Sequence, residues 1–268
     1  MTVPAVTRAQ GEPKLVVVEM GEVSSTAADE IVRVLAAALD GGGIVHWATT
    51  GGSSAPGIYR ALKQPEHVAA LDWARIHTWW GDDRFVPPDH PDSNVLPFNQ
   101  VLLADESNGW SGIEIPEANI HPVPVPEALA RGLGPAWAAA RYAESMREIM
   151  PLDGEGIPVF DLVLLGAGPD GHLLSVFPNS PVWDEPGLCA GVPAPAHLEP
   201  HVERVTMNPR VLPAARAVLL VTSGASKAEK LADCWPGGDP RALPVRAARL
   251  PHATWVLDKA AAAGIRRG

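Results

Sequence analysis

Along this chain, short runs of consecutive apolar residues alternate with longer stretches in which apolar positions recur every three to four residues. The runs at 15–20 (LVVVEM), 43–50 (GIVHWATT), 76–83 (IHTWWGDD), 160–168 (FDLVLLGAG), 217–224 (AVLLVTSG) and 253–258 (ATWVLD) read as buried strands. Helical periodicity fills 25–39 and 136–148, and a further helix is predicted to begin near Pro56, after a Gly-Ser turn. Strands that are apolar on both faces and separated by helices predict an α/β fold, a parallel sheet with helices on both faces. The prolines fall mainly in connections such as 121–126 and 186–200, and no repeat or linker divides residues 1–268, so one domain is expected. In such a sheet ligands bind beyond the carboxyl ends of the strands, and chemistry is sought there.

Four strand ends carry polar groups. Thr49-Thr50-Gly51-Gly52-Ser53-Ser54 joins a strand to a helix. Free amides at a helix start attract an anion, although the same turn without a ligand is an ordinary connection with a serine N-cap. The run at 76–83 ends in Asp82-Asp83-Arg84, where charges can orient hydroxyls or polarise a carbonyl, or can form a plain surface ion pair. The run at 160–168 opens into Gly166-Ala167-Gly168-Pro169-Asp170-Gly171-His172, which delivers one imidazole to a strand end. An imidazole is suited to proton transfer near neutrality, and Asp170 is close enough in sequence to orient it. A loop histidine bonded to backbone is the bland alternative. The GxGxxG spelling from Gly166 to Gly171 lacks a following acidic strand end, so dinucleotide binding is unsupported. Finally, Gly224-Ala225-Ser226-Lys227 opens the helix after 217–224, and Arg204 precedes that strand; either cation can complete a phosphate site or be merely solvated.

Composition narrows the partners. A net charge of −10 argues against nucleic acid or an anionic membrane, so any phosphate site must be local. Cys189 and Cys234 lack the spacing of a disulfide framework or zinc site. No segment approaches the roughly 20 apolar residues of a spanning helix, and the first residues lack a signal-peptide core, so a reducing, cytoplasmic setting is expected. Asp89, His90 and Asp92 read as turn chemistry rather than metal ligands. His197 and His201, four apart, are separated from regular helix by Pro195 and Pro200. No metal is expected. Of nine tryptophans only Trp79 and Trp80 adjoin the predicted site; Trp110, Trp137, Trp183, Trp235 and Trp255 are assigned to packing.

Taken together, GGSS…GIYRAL (51–62), WWGDDRFVPPDHPDSN (79–94), FDLVLLGAGPDGHLLSVFP (160–178) and ERVTMNPRVLPAAR with SGASKAEKL (203–231) resemble the 6-phosphogluconolactonases of the glucosamine-6-phosphate isomerase/deaminase superfamily. The matches keep the family's order over about four-fifths of the chain. Departures include Gly-Asp-Asp-Arg for Gly-Asp-Glu-Arg, Gly-His-Leu-Leu-Ser for Gly-His-Thr-Ala-Ser, and ProAlaHisLeuGluProHis in place of a Lys-Pro-Pro stretch before Arg204. The resemblance implies a Rossmann-like parallel sheet, no cofactor, and a phosphosugar lactone as substrate.

On that basis the phosphate is expected at Gly51, Gly52, Ser53, Arg204 and Lys227, with the ring toward Asp82, Arg84 and His172. His172 is expected to act as base on water, Arg84 to stabilise the carbonyl oxygen, and Asp82 and Asp170 to orient ring and imidazole. The rivals are an amino-sugar-phosphate deaminase or isomerase and a non-catalytic sugar-phosphate sensor. The deaminases resemble this chain in the phosphate loop but carry Asp-Glu-Tyr at 82–84 and a glutamate at the position of Phe177; the sensors add a helix-turn-helix module for which the residues before Leu15 are too few. Monomer and homo-oligomer both remain open.

Overall fold

The computed structural model describes residues 5–7, 11–104 and 112–265; Trp110 and most of the first ten residues lie outside them. The strands are β1 (Ala5–Thr7), β2 (Lys14–Val18), β3 (Val45–Thr49), β4 (Ile76–Trp80), β5 (Asp82–Arg84), β6 (Ile120–His121), β7 (Leu162–Leu165), β8 (Cys189–Val192), β9 (Arg204–Met207), β10 (Val218–Thr222) and β11 (Ala253–Asp258). The α-helices are α1 (Val23–Asp40), α2 (Ala55–Leu62), α3 (Pro65–Ala69), α4 (Val95–Pro97), α5 (Val125–Ala130), α6 (Pro135–Ile149) and α7 (Ala228–Cys234). The main sheet runs β1-β2-β11-β10-β7-β3-β4-β6. All neighbours are parallel except β1, which pairs antiparallel with β2 at one edge.

Strand side chains alternate between two cores, as a sheet covered on both faces requires. Along β7, Leu162 and Leu164 join the core containing α1 and α2, while Val163 and Leu165 join the one containing α6 and α7. Helix α1 buries Val23, Ala27, Ile31, Leu35 and Leu39, a three-to-four spacing along one stripe. Helix α6 starts with Pro135 behind a Gly134 N-cap and stops where Met150 turns extended ahead of Pro151. Trp47, fully buried, contributes the order of 1.5–3 kcal/mol expected for burying a large apolar side chain.

Two features depart from the expected layout. The run at 76–83 is not one strand: after β4 the chain turns at Gly81 and leaves the main sheet as β5. There it joins a three-stranded antiparallel sheet ordered β5-β9-β8. In addition, Lys227 lies in a 3-10 turn, Ala225–Lys227, ahead of α7 rather than in the helix.

Strand β3 adjoins β7 in the sheet, yet the chain leaves β3 toward β4 and β6 and leaves β7 toward β10 and β11. This reversal opens a crevice at their carboxyl ends. Among the described residues no helix is long and apolar enough to cross a membrane.

Candidate active site

The crevice is a cleft of about 310 Å3 lined by the loops after β3, β4, β7 and β10 and by the segment before β9. Eight of the nine residues expected from sequence line it: Gly51, Gly52, Ser53, Asp82, Arg84, His172, Arg204 and Lys227. The ninth, Asp170, stands behind His172.

His172 is held by its own loop. Its Nδ1 lies 2.6 Å from Asp170 Oδ1, and its backbone N–H donates to the same oxygen at 3.1 Å. Burial would raise the Asp170 carboxyl, but the hydrogen bonds and charge of His172, joined by His197, outweigh it and hold the group well below the usual carboxylate range. An ionised Asp170 can only accept, so Nδ1 carries the hydrogen and Nε2 is the nitrogen left with a lone pair. The side chains of His172 and Asp170 are 15% and 21% exposed, enclosed yet reachable from the cleft. Gly168 is required for this arrangement, because a Cβ there would sit 2.0 Å from the His172 ring.

The β5–β9 pair supplies the cations. In register, Asp82 faces Thr206 and Arg84 faces Arg204. Arg84 donates from Nη1 to the Asp92 carbonyl at 2.7 Å and to Asn94 Oδ1 at 2.9 Å. Arg204, only 2% exposed, donates to the Pro200 carbonyl at 3.3 Å. Neither Nε has a partner. Burial pushes the Arg204 guanidinium down from its ordinary value, partly offset by Asp82. Asp82, 7% exposed, accepts from Ser175 Oγ at 2.5 Å. That contact ties down one carboxylate oxygen of Asp82.

Asn94 and Ser175 are the supporting residues that sequence reasoning passed over. Asn94 bridges Arg84 and the Asp82 carbonyl, its Nδ2 donating to the latter at 2.8 Å. Its side chain is the reason for Gly51, where a Cβ would come within 1.8 Å of Asn94 Oδ1. Gly51 therefore serves clearance for the arginine clamp as well as lining the cleft. Both residues stood within the motifs read from the sequence, at the end of 79–94 and within 160–178, but neither is a residue type that announces chemistry.

Asp83 faces away from the cleft. It accepts the Asn94 and Arg84 N–H groups at 2.7 and 2.8 Å and the Ser93 hydroxyl at 3.2 Å. Burial pushes its carboxyl up to about 7 against those hydrogen bonds. The two adjacent carboxylates thus divide between cleft and scaffold.

The Gly-Ser loop after β3 is anchored by Tyr59, whose hydroxyl lies 2.9 Å from Thr49 Oγ1 and donates to the Thr50 carbonyl at 3.0 Å. Ser54 occupies the N-cap of α2 but makes no side-chain capping bond, and Gly51 to Ser54 line the cleft just ahead of the helix. On the far wall, Asp258 Oδ1 accepts the Gly224 N–H at 2.9 Å and so fixes the turn that carries Lys227.

Other expectations resolve differently. Trp79 and Trp80 are fully buried and do not reach the cleft; Trp79 stacks on His121 with ring centroids 4.1 Å apart, and Trp80 donates to the Asn94 carbonyl at 3.1 Å. Cys189 and Cys234 are free, and burial pushes both thiols up to about 12. His197 and His201 point to different partners, Asp170 and the Pro195 carbonyl. Among the described residues, no group of three or more His, Cys, Asp or Glu is arranged to hold a metal ion.

Comparison with known proteins bears on the family and the fold. Residues 19–257 match the model of the glucosamine-6-phosphate isomerases/6-phosphogluconolactonase family. A 6-phosphogluconolactonase of Synechocystis sp. is 34% identical over 227 residues, covering 82% of this chain and 84% of its own. One from Streptomyces coelicolor is 32% identical over 267 residues, 95% of each. The solved 6-phosphogluconolactonase from Trypanosoma cruzi superposes with a TM-score of 0.83 at 28% identity, covering 97% of this chain and 99% of that one.

Proposed function

The chain belongs to the glucosamine-6-phosphate isomerases/6-phosphogluconolactonase family, and we propose that within it the chain hydrolyses 6-phospho-D-glucono-1,5-lactone to 6-phospho-D-gluconate. That reaction is the second step of the oxidative pentose phosphate pathway. The observation that carries the assignment to these residues is the Asp170–His172 pair, set in the same cleft as two guanidiniums whose hydrogen bonds go only to uncharged oxygens.

The phosphate is held by the amides of Gly52 and Ser53 in the loop just ahead of α2, with Lys227 and Arg204 supplying charge and Gly51 admitting the loop to its position. Remote binding energy from that group then places the lactone carbonyl beside His172. The imidazole takes a proton from water through Nε2, and the oxygen so freed attacks the lactone carbonyl carbon. Arg84 stabilises the resulting oxyanion. Collapse of the tetrahedral intermediate breaks the bond to the ring oxygen, which receives the proton back from the imidazolium. Asp170 holds the tautomer throughout, and Asp82, fixed by Ser175, orients ring hydroxyls. Lactones open readily once positioned, so one base and an oxyanion partner suffice. A cytoplasmic setting and a small phosphorylated sugar lactone as partner accompany the reading.

The deaminase reading is disfavoured by Phe177, which packs against His172 with ring centroids 4.9 Å apart where the deaminases carry a glutamate. The test is a rate measurement on freshly generated 6-phosphogluconolactone with spontaneous opening subtracted, run beside glucosamine 6-phosphate. Lactone opening above background with no ammonia release is expected. Ammonia release without lactone opening would replace this reading with the deaminase.

A further inference from the structure

Asp170 has two oxygens, and the chemistry above uses one. Oδ1 takes both the Nδ1–H and the backbone N–H of His172. Oδ2 lies 3.0 Å from Nε2 of His197, which is half-exposed and belongs to the segment before β9. Because Asp170 is ionised, His197 is the donor. Phe177 neighbours both imidazoles, its ring centroid 4.9 Å from that of His172 and 5.4 Å from that of His197, the latter edge-on at 82°. The Arg204 guanidinium lies 5.4 Å from the same ring.

We infer that His197 is a positioning residue for proton transfer: it pins the second oxygen of Asp170 and thereby fixes the carboxylate plane that orients His172. A carboxylate anchored through one oxygen can still rotate about its Cβ–Cγ bond, and the imidazole it holds swings with it. Donors on both oxygens remove that freedom, as outer partners do for catalytic and metal-bound histidines generally. The same bond ties the catalytic loop to the cleft wall, since the residues after His197, Leu198 and Glu199, line the cleft. His197 sits in ProAlaHisLeuGluProHis, the stretch where this chain departs from the family's Lys-Pro-Pro. The inference rests on His172 being the base.

The test compares His197→Phe, which keeps a ring against Phe177 but removes the donor, with His197→Gln, which keeps a donor. In His197→Phe kcat on the phosphorylated lactone should fall about tenfold with KM within about twofold. His197→Gln should restore most of the loss. In an Asp170→Asn background, His197→Phe should cause little further loss, because the effect travels through that carboxylate. By proton NMR, the downfield His172 Nδ1–H signal should broaden in His197→Phe through faster solvent exchange. Native kcat with an unchanged resonance, a loss confined to KM, or losses that multiply in the double variant would each overturn the inference. Failure of the underlying reading is separate: it appears as an unmodified protein that does not open the lactone, and the resonance still reports on the brace in that case.

Discussion

Arg84 and Arg204 face one another in register across the antiparallel β5–β9 pair, and their hydrogen bonds end on the Asp92 and Pro200 carbonyls and the Asn94 side chain. Like charges directly opposite on a ladder destabilise it, and a buried cation without a carboxylate partner is costly. On the proposed reading an anion in the cleft adds to the partial offset that Asp82 gives Arg204, so cleft occupancy should raise fold stability.

The first prediction follows from that linkage. 6-Phosphogluconate at about a hundredfold excess over its Kd should stabilise the protein by about 2.7 kcal/mol, several degrees in Tm. Arg204→Met should remove most of the ligand-induced shift while leaving the ligand-free Tm unchanged or higher, since apolar replacement of a buried charge is often neutral or stabilising. Thermal melts with and without ligand check this; an undiminished shift in the variant would place the anion elsewhere.

Asp83 gives a pH dependence whose sign is fixed. Its folded value, about 7, lies above the ordinary Asp value of 3.8 because of burial. The folded state thus binds the proton more tightly than the unfolded state, and stability from this group is greatest below about 4 and is lost as pH rises through about 7. Asp83→Asn keeps an acceptor for the two backbone N–H groups but cannot ionise. Its stability relative to the unmodified protein should therefore improve steadily from pH 4 to pH 8 in denaturant titrations, and a pH-independent difference would contradict the burial argument.

The proposed phosphate site predicts a selective defect. Plain gluconolactone should be a poor substrate, because it forfeits the binding energy that positions the carbonyl. Lys227→Ala should lower kcat/KM on the phosphorylated lactone by about tenfold to a hundredfold, mostly through KM, as expected for losing a charge-assisted contact. On plain gluconolactone the same substitution should change little. Equal losses on both would mean that Lys227 supports the fold or the chemistry instead.

Gly168→Ala tests the placement of the imidazole without touching it. The added Cβ would meet the His172 ring at 2.0 Å, so the ring must leave its seat. A loss of kcat on the order of a hundredfold is expected, with far-UV circular dichroism unchanged. Native kcat would mean that the loop yields and that His172 tolerates displacement.

The sheet was legible because its strands are apolar on both faces and its major helices keep a clean stripe; α1 and α6 fall within a few residues of the predicted 25–39 and 136–148. The antiparallel sheet was not, because β5, β8 and β9 are each three or four residues long, too short to show a period, and β5 is wholly charged. Register across β5–β9, which brings together Arg84 and Arg204, 120 positions apart in the chain, depends on tertiary pairing that no local period encodes. Charged and imidazole side chains announced themselves at strand ends. Asn94 and Ser175 matter only through what they hold, and the two adjacent carboxylates Asp82 and Asp83 differ in role solely because a strand alternates its side chains between faces.

The central claim is that His172 is the base acting on water. The most direct measurement is the initial rate of enzyme-dependent opening of freshly generated 6-phosphogluconolactone by His172→Ala, with spontaneous hydrolysis subtracted and 6-phosphogluconate affinity measured on the same preparation. The account predicts a fall in kcat of roughly 10²–10⁴-fold, the range for removing a general base, with product affinity nearly retained. Near-native turnover in that variant would contradict it.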